Sequence, residues 1–310
     1  MRGRVPAALA ILCGIAAKAV ADSPLPASPA WVSISSEDLQ QSYDVLWAIS
    51  DVHGRRKQLE KLLVAAGMAV GNGGAMGWKP AQGRQLFIVV GDSIRGGPHS
   101  RGVVVLLKRL QDEAVAAGSR VVVLLGNQEV RLLAGALASG NDELSRFIRT
   151  MPIAAVVGSW LFAHAGYIDA QDDADSLREY LARAGESWST GKYGFFLEPH
   201  SILDYHGWWK SERRRKKMKD RLATLGLNGL VFGHDPDALG ARGVLAMDAE
   251  GWFTKLDTGL KTGASRGMML RCEVARLIRG MKLTMSENGK PVCRALMPDG
   301  ELREIAVVDR

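Results

Sequence analysis

Apolar runs in this chain repeatedly stop at residues that can bind metal. Residues 45–49 lead through Ser50 into Asp51-Val52-His53-Gly54, residues 85–90 into Gly91-Asp92, and residues 121–125 into Gly126-Asn127-Gln128-Glu129. Later, residues 160–163 deliver His164-Ala165-Gly166, and Leu230-Val231-Phe232 delivers Gly233-His234-Asp235. Taken alone, Asp92 reads equally well as the cap of the following helix. The same grammar at five places is harder to assign to capping. Asp51, His53, Asp92, Asn127, His164 and His234 offer carboxylate, amide and imidazole donors, a set that suits Mn, Fe or Zn. Six donors exceed one closed tetrahedral site. They match two divalent ions sharing a carboxylate, expected roughly 3.5 to 4 Å apart, which clamp both oxygens of an in-line displacement.

Such donors must be carried to one place. A buried strand followed by a loop and a helix puts the loop at the carboxyl edge of a parallel sheet, where open α/β folds bind ligands. The spacing of Leu59, Leu62, Leu63 and Ala66 predicts a helix over 55–66 ending at Gly67. A second is predicted over 98–117 from Val103, Val104, Leu107, Leu110 and Val115, ending at Gly118, and further helices over 130–139, 142–150 and 175–184. Residues 154–157 and 160–163 read as a hairpin about Gly158-Ser159. Strand candidates at 243–247, 251–256, 268–274 and 305–308 imply a second sheet, so the fold class is α/β with α+β character. The glycine-rich stretch 71–83 precedes a strand rather than a helix, the wrong order for a phosphate cradle, and is expected to be a connecting loop.

At 310 residues, 47% apolar and 24% charged, the chain can bury a full core, which excludes disorder as the default. The +7 net charge suits an anionic substrate but equally a solvated surface, and the run Glu212-Arg213-Arg214-Arg215-Lys216-Lys217 is expected to be a solvated helix face. Arg2 and Arg4, an apolar stretch over 7–17 and Ala19-Val20-Ala21 predict a signal peptide over 1–21, cleaved near Ala21, and hence a secreted or extracytoplasmic protein. A leader over 22–40 and one domain over 41–310 follow, with no later membrane span. Loss of Cys13 with the signal leaves Cys272 and Cys293, which could be bridged or free.

The order and spacing of these motifs resemble the calcineurin-like metallophosphoesterases, and within them the phosphoprotein phosphatase branch. That family's pattern is Asp-x-His-Gly, Gly-Asp-x-Val-Asp-Arg-Gly, Gly-Asn-His-Glu, a histidine before Ala-Gly or Gly-Gly, then Gly-His-Thr. The chain matches at Asp51, His53, Gly54, Gly91, Asp92, Gly97, Gly126, Asn127, Glu129, His164 and His234. His164-Ala165-Gly166 and Asp257-Thr258-Gly259 look most like the bacterial-type, Shewanella-like serine/threonine phosphatases. The resemblance implies a four-layer sandwich of two packed mixed β-sheets flanked by helices. It also implies that Asp51 and His53 hold one metal, that Asp92 bridges, and that Asn127, His164 and His234 hold the other, with a metal-bridging hydroxide as nucleophile.

The departures fall together. Where the family has the aspartate and arginine of its Asp-Arg-Gly motif, an ungapped alignment finds Arg95 and Gly96, and where it has the acid histidine it finds Gln128. Both members of the family's acid pair are thus replaced, and glutamine cannot titrate. Arg95 is a candidate phosphate ligand if the loop is gapped, Lys210 of Trp208-Trp209-Lys210 is a point-charge substitute for a second family arginine, and His206 is a candidate substitute acid. The expected function is hydrolysis of phosphomonoesters, on phosphorylated protein or small phosphoesters rather than nucleic acid, with altered acid chemistry. A pseudophosphatase that binds phosphoprotein and a dinucleoside polyphosphate hydrolase are the alternatives.

Overall fold

The computed structural model describes residues 28–71, 76–80, 83–135, 143–171, 173–262, 265–277 and 292–309. In chain order its elements begin with β1 (Trp31–Ile34), α1 (Ser36–Ser42), β2 (Val45–Ile49), α2 (Arg56–Ala65), β3 (Ala69–Val70), β4 (Gly77–Trp78) and β5 (Gln85–Val90). They continue with α3 (Ser100–Ala116), β6 (Arg120–Leu124), α4 (Asn127–Ala134), α5 (Glu143–Ile148), β7 (Ala154–Val157), β8 (Trp160–Ala163) and α6 (Ala174–Ser189). The last are α7 (Glu212–Thr224), β9 (Gly229–Phe232), β10 (Ala246–Asp248), β11 (Phe253–Lys255), β12 (Met269–Glu273), α8 (Val274–Leu277), β13 (Cys293–Leu296), β14 (Leu302–Arg303) and β15 (Ala306–Val308).

Two large sheets result. One has the order β14-β13-β12-β2-β5-β6, with β2, β5 and β6 parallel, and the other the order β1-β7-β8-β9-β11-β10-β15. Alternation along each strand sorts its side chains into two layers. Leu46, Ala48, Leu86, Ile88, Val90, Val122 and Leu124 of the first sheet share a core cluster with Ala155, Val157, Trp160, Phe162 and Val231 of the second. That is the layer between the sheets. The intervening residues Trp47, Ile49, Phe87, Val89, Val121 and Val123 lie instead in the cluster that contains Leu59, Leu62 and Leu63 of α2 and Val103, Leu107 and Leu110 of α3. Burial on both faces explains why these strands read as unbroken apolar runs.

The first strand differs from the sequence expectation. Trp31–Ile34, placed within the leader 22–40, pairs in parallel with β7, in the register Trp31 opposite Ala154. Its four residues follow a proline-rich stretch and carry no clear alternation, so only the pairing reveals them. Cys272 and Cys293 form a disulfide across directly opposed positions of β12 and β13. The signal over 1–21, the start of the leader, and parts of the stretches 71–83, 130–139 and 142–150 lie outside the described residues. Among the described residues no helix is long and apolar enough to cross a membrane.

Candidate metal centre

Each donor sits where a strand has just ended. Asp51 and His53 follow β2, Asp92 follows β5, Asn127 opens α4 after β6, His164 follows β8 and His234 follows β9. Backbone hydrogen bonds fasten these turns to one another: Asp51 N donates to Gly91 O at 3.1 Å, His53 N to Asp92 O at 2.8 Å, and Gly233 N to His164 O at 2.8 Å. Asp51, His53, Asp92 and His234 have φ between 47° and 70°, left-handed values that cost a non-glycine residue roughly 1 to 3 kcal/mol each. Strain of that kind at four side chains of one cluster is what a site built for geometry shows. Gly91 lets the strand ends approach so closely: a Cβ there would lie 2.7 Å from both Gly126 Cα and His164 Nδ1.

The six side chains form one buried cluster. His53 Nε2 lies 3.6 Å from Asp51 Oδ1 and 3.6 Å from Asp92 Oδ2. His164 Nε2 lies 3.3 Å from Asp92 Oδ1 and 3.2 Å from His234 Nδ1. Asp92 therefore stands between two groups of donors. Asp51 Oδ2 accepts from His234 N at 2.8 Å, and Asp92 Oδ1 from Gln128 N at 2.9 Å. Asn127 Nδ2 donates to Asp204 Oδ1, and Asn127 Oδ1 accepts from Gln128 Nε2 at 3.0 Å.

Hydrogen bonds outside the cluster set the tautomers. His53 Nδ1 faces the carbonyls of Arg95 at 2.6 Å and Ile94 at 3.2 Å, and His164 Nδ1 faces that of Val90 at 3.0 Å. Each Nδ1 therefore carries a hydrogen, and each Nε2 is the nitrogen that faces the cluster and can bind metal once it is deprotonated, the arrangement that orients metal-ligating imidazoles. Glu129 supports the same wall. Fully buried, its carboxylate accepts from the backbone N–H groups of Asp92, Ser93, Ile94 and Gly126 at 2.8 to 3.1 Å, tying the Asp92 loop to the start of α4.

At Asp51 burial opposes ionisation, but His164 and His53 outweigh it and hold the carboxyl well below the usual carboxylate range. Burial works against charge on His53 and His164 too, yet Asp51 and Asp92 raise them to about 9 and about 10. His234 goes the other way: burial, then the neighbouring His164 and His206, hold it well below its ordinary value. Glu129 is pushed up to about 7 by burial and by Asp92, and Asp257 to about 8 by burial and by Asp51.

The residues fit divalent ions. Ligand atoms of Asp51, His53 and Asp92 lie within 4.8 Å of one another, as do those of Asp204, His206 and His234, and the buried His234 Nε2 has no hydrogen-bond partner among the described residues. Metal loading requires neutral imidazoles. Raised histidine pKa values mean that the imidazolium–carboxylate pairs stabilise the metal-free protein at low pH and are lost as pH rises through about 9 to 10. Loading near pH 7 is therefore expected to release protons, and metal affinity to climb from pH 7 to 9 by about tenfold per pH unit for each proton displaced. Calorimetry with Mn or Zn in two buffers of different ionisation enthalpy measures this; a pH-independent affinity would contradict it.

A family model described as calcineurin-like phosphoesterase matches residues 45–238, more than half of the chain, from the start of β2 to just past His234. The chain belongs to the calcineurin-like phosphoesterases. It is 29% identical over 157 residues to a symmetrical bis(5'-nucleosyl)-tetraphosphatase of Methylococcus capsulatus, a stretch covering 46% of this chain and 48% of that protein. The chain thus spans about half the length of this curated relative. Its fold is similar to that of a cold-active protein-tyrosine phosphatase of a psychrophilic Shewanella, at TM-score 0.62 and 18% identity, over 91% of this chain and 82% of that one. It is also similar to a protein serine/threonine phosphatase of Saccharomyces cerevisiae resembling human phosphatase PP5, at TM-score 0.53 and 13% identity, over 97% and 90%. Mixed α/β architecture with two large sheets flanked by helices is the fold of this family.

The positions where this calcineurin-like phosphoesterase departs from the family motif are placed as follows. Gln128 is buried inside the cluster, bonded to Asn127 and Asp92. Arg95 contributes its carbonyl to His53 while the residue is exposed, its N–H donating to Ser100 Oγ at 2.9 Å. Lys210 is exposed, its ammonium 5.4 Å from the centre of the Trp209 ring. His206 is exposed and stacks on His234 with ring centroids 3.7 Å apart. One participant is not legible in the sequence. Asp204 lies in an aromatic segment without strand grammar, yet its carboxylate meets Asn127 and Arg131, the latter at 2.8 Å, and lies 3.9 Å from His234 Nε2.

Proposed function

We propose that this chain is a dinuclear metal-dependent phosphoesterase of the phosphoprotein phosphatase type that hydrolyses phosphomonoesters with altered acid chemistry. The observation that carries this is the convergence of Asp51, His53, Asp92, Asn127, His164 and His234, from two sheets, on one buried cluster with Asp92 between its halves. Asp51, His53 and Asp92 would hold one divalent ion, and Asp92, Asn127, His164 and His234 the second. Ions held there would supply Lewis-acid charge at the phosphoryl oxygens and activate a water.

The chain's own groups do the rest. Backbone carbonyls of Arg95, Ile94 and Val90 hold His53 and His164 in the metal-facing tautomer. Glu129 fixes the Asp92 loop. Gln128 offers an N–H inside the cluster but no proton to give away, so a leaving group that needs protonation is poorly served. The test is metal content of the purified chain measured beside hydrolysis of p-nitrophenyl phosphate. Two ions per chain with turnover supports the proposal; two ions without any turnover would make the protein a phosphoester-binding pseudoenzyme.

A second substrate class has one observation in its favour, the 29% identity to a bis(5'-nucleosyl)-tetraphosphatase. A bis(5'-nucleosyl) tetraphosphate assayed beside the aryl phosphate distinguishes the two. We also propose that residues 1–21 are a cleaved export signal. The Cys272–Cys293 bridge supports an oxidising destination, and mass spectrometry of the native protein beginning at Met1 would contradict it.

A further inference from the structure

Position 96 is a glycine where the family motif has an arginine. Gly96 has φ 120°, and the place a Cβ would occupy there is already taken: it lies 3.1 Å from Lys261 Cγ, 3.5 Å from Lys261 Cε and 3.4 Å from His53 Cβ. The Lys261 side chain thus lies over Gly96, beside a residue of the metal cluster. A bulky residue at 96 and Lys261 in this pose exclude each other.

Lys261 is held there by its backbone rather than by its charge. Arg55, just after the Asp51–His53 turn, donates from Nη2 to Lys261 O at 3.0 Å. The loop over 257–262 that carries Lys261 is closed by Gly259 N donating to Asp257 Oδ1 at 2.8 Å and by Thr262 Oγ1 donating to Gly259 O at 3.0 Å. The ammonium of Lys261, by contrast, is on an exposed residue and has no hydrogen bond or ion pair among the described residues. An exposed ammonium with no partner among the described residues, on a stem packed over Gly96 beside His53, has an obvious ligand chemistry, the phosphate dianion.

We propose that Lys261 is the substrate-phosphate cation of this enzyme, taking over from the loop after β11 the role left by the missing arginine. This deepens the phosphoesterase assignment and rests on it. An ammonium contributes one charge-assisted contact without the bidentate geometry of a guanidinium. Removing the charge while keeping the start of the stem, Lys261→Gln, is therefore expected to weaken binding of inorganic phosphate to the metal-loaded protein by about tenfold in calorimetry, and to raise KM for p-nitrophenyl phosphate by a similar factor. Metal content should not change. Lys261→Arg is expected to stay within about threefold of the wild type, a rescue that a purely structural role of the stem would not produce.

Phosphate binding by Lys261→Gln equal to that of the wild type, at equal metal content, would overturn the inference and leave the phosphoesterase reading standing. Equal losses in Lys261→Gln and Lys261→Arg would also overturn it, by making the loop's packing rather than its charge responsible. A wild-type protein that holds two metals but neither binds phosphate nor cleaves the aryl ester would remove both proposals together.

Discussion

Asn in place of Asp92 is expected to lower the metal content from two ions per chain to one or none and to cut phosphoesterase activity by at least about a thousandfold, some 4 kcal/mol of transition-state stabilisation. The substitution is nearly isosteric. An asparagine oxygen can still accept from Gln128 N, which bonds Asp92 Oδ1 at 2.9 Å, so the start of α4 keeps its anchor and the fold its shape. What disappears is the carboxylate charge that lies between His53 at 3.6 Å and His164 at 3.3 Å. The buried His164 then loses its strongest reason to carry a proton, and its raised pKa should fall. Atomic emission on the purified variant, beside circular dichroism to confirm folding, measures the effect. Two retained ions with wild-type rates would place the bridge elsewhere.

Much of this centre could be read from residue order because its carriers are strands buried on both faces. β2, β5 and β6 present unbroken apolar runs, and an abrupt switch to donors after such a run has few other meanings. The helix boundaries were less legible where a site residue does two jobs. α4 begins at Asn127, three residues before the predicted start, because Glu129 accepts from Gly126 N and caps the helix while bracing the Asp92 loop. β1 and β13, four residues each, were not legible; one follows the proline-rich stretch, and the other is fixed by antiparallel pairing and the disulfide to β12.

Asp204 and Lys261 belong to a different category. Neither stands directly at a strand end, Lys261 coming later in the loop after β11, and both are placed through loops fixed by long-range contacts. The segment carrying Asp204 is pinned by two tryptophans: Trp208 Nε1 donates to Ala165 O at 2.9 Å and Trp209 Nε1 to Asp235 Oδ2 at 2.8 Å. These tie it to the turns after β8 and β9, next to His164 and His234. In the sequence the same tryptophans mark only an aromatic patch, because an indole N–H bond to a residue far along the chain leaves no periodic trace.

The second large expected effect concerns the leaving group. The wild type should cleave p-nitrophenyl phosphate about a hundred- to ten-thousandfold faster than a phosphoserine peptide, the range attributed to general acid catalysis. A nitrophenolate departs without a proton, whereas a serine alkoxide does not. Gln128, whose amide is spent on Asn127 Oδ1 at 3.0 Å, has no proton to deliver. The backbone at Arg95 has φ 61°, a conformation that aspartate tolerates better than most residues, so Arg95→Asp is compatible with the loop. Combined with Gln128→His it should raise phosphoserine turnover far more than aryl turnover. Either change alone should do little, since a histidine without its orienting carboxylate can adopt the wrong tautomer. A double variant that binds metal yet leaves both rates unchanged would show that positions 95 and 128 are not a displaced acid pair. Rapid phosphoserine turnover by the wild type would be equally decisive against it, and would move the proton donor to His206, whose ring lies 3.7 Å from that of His234 at the open side of the cluster.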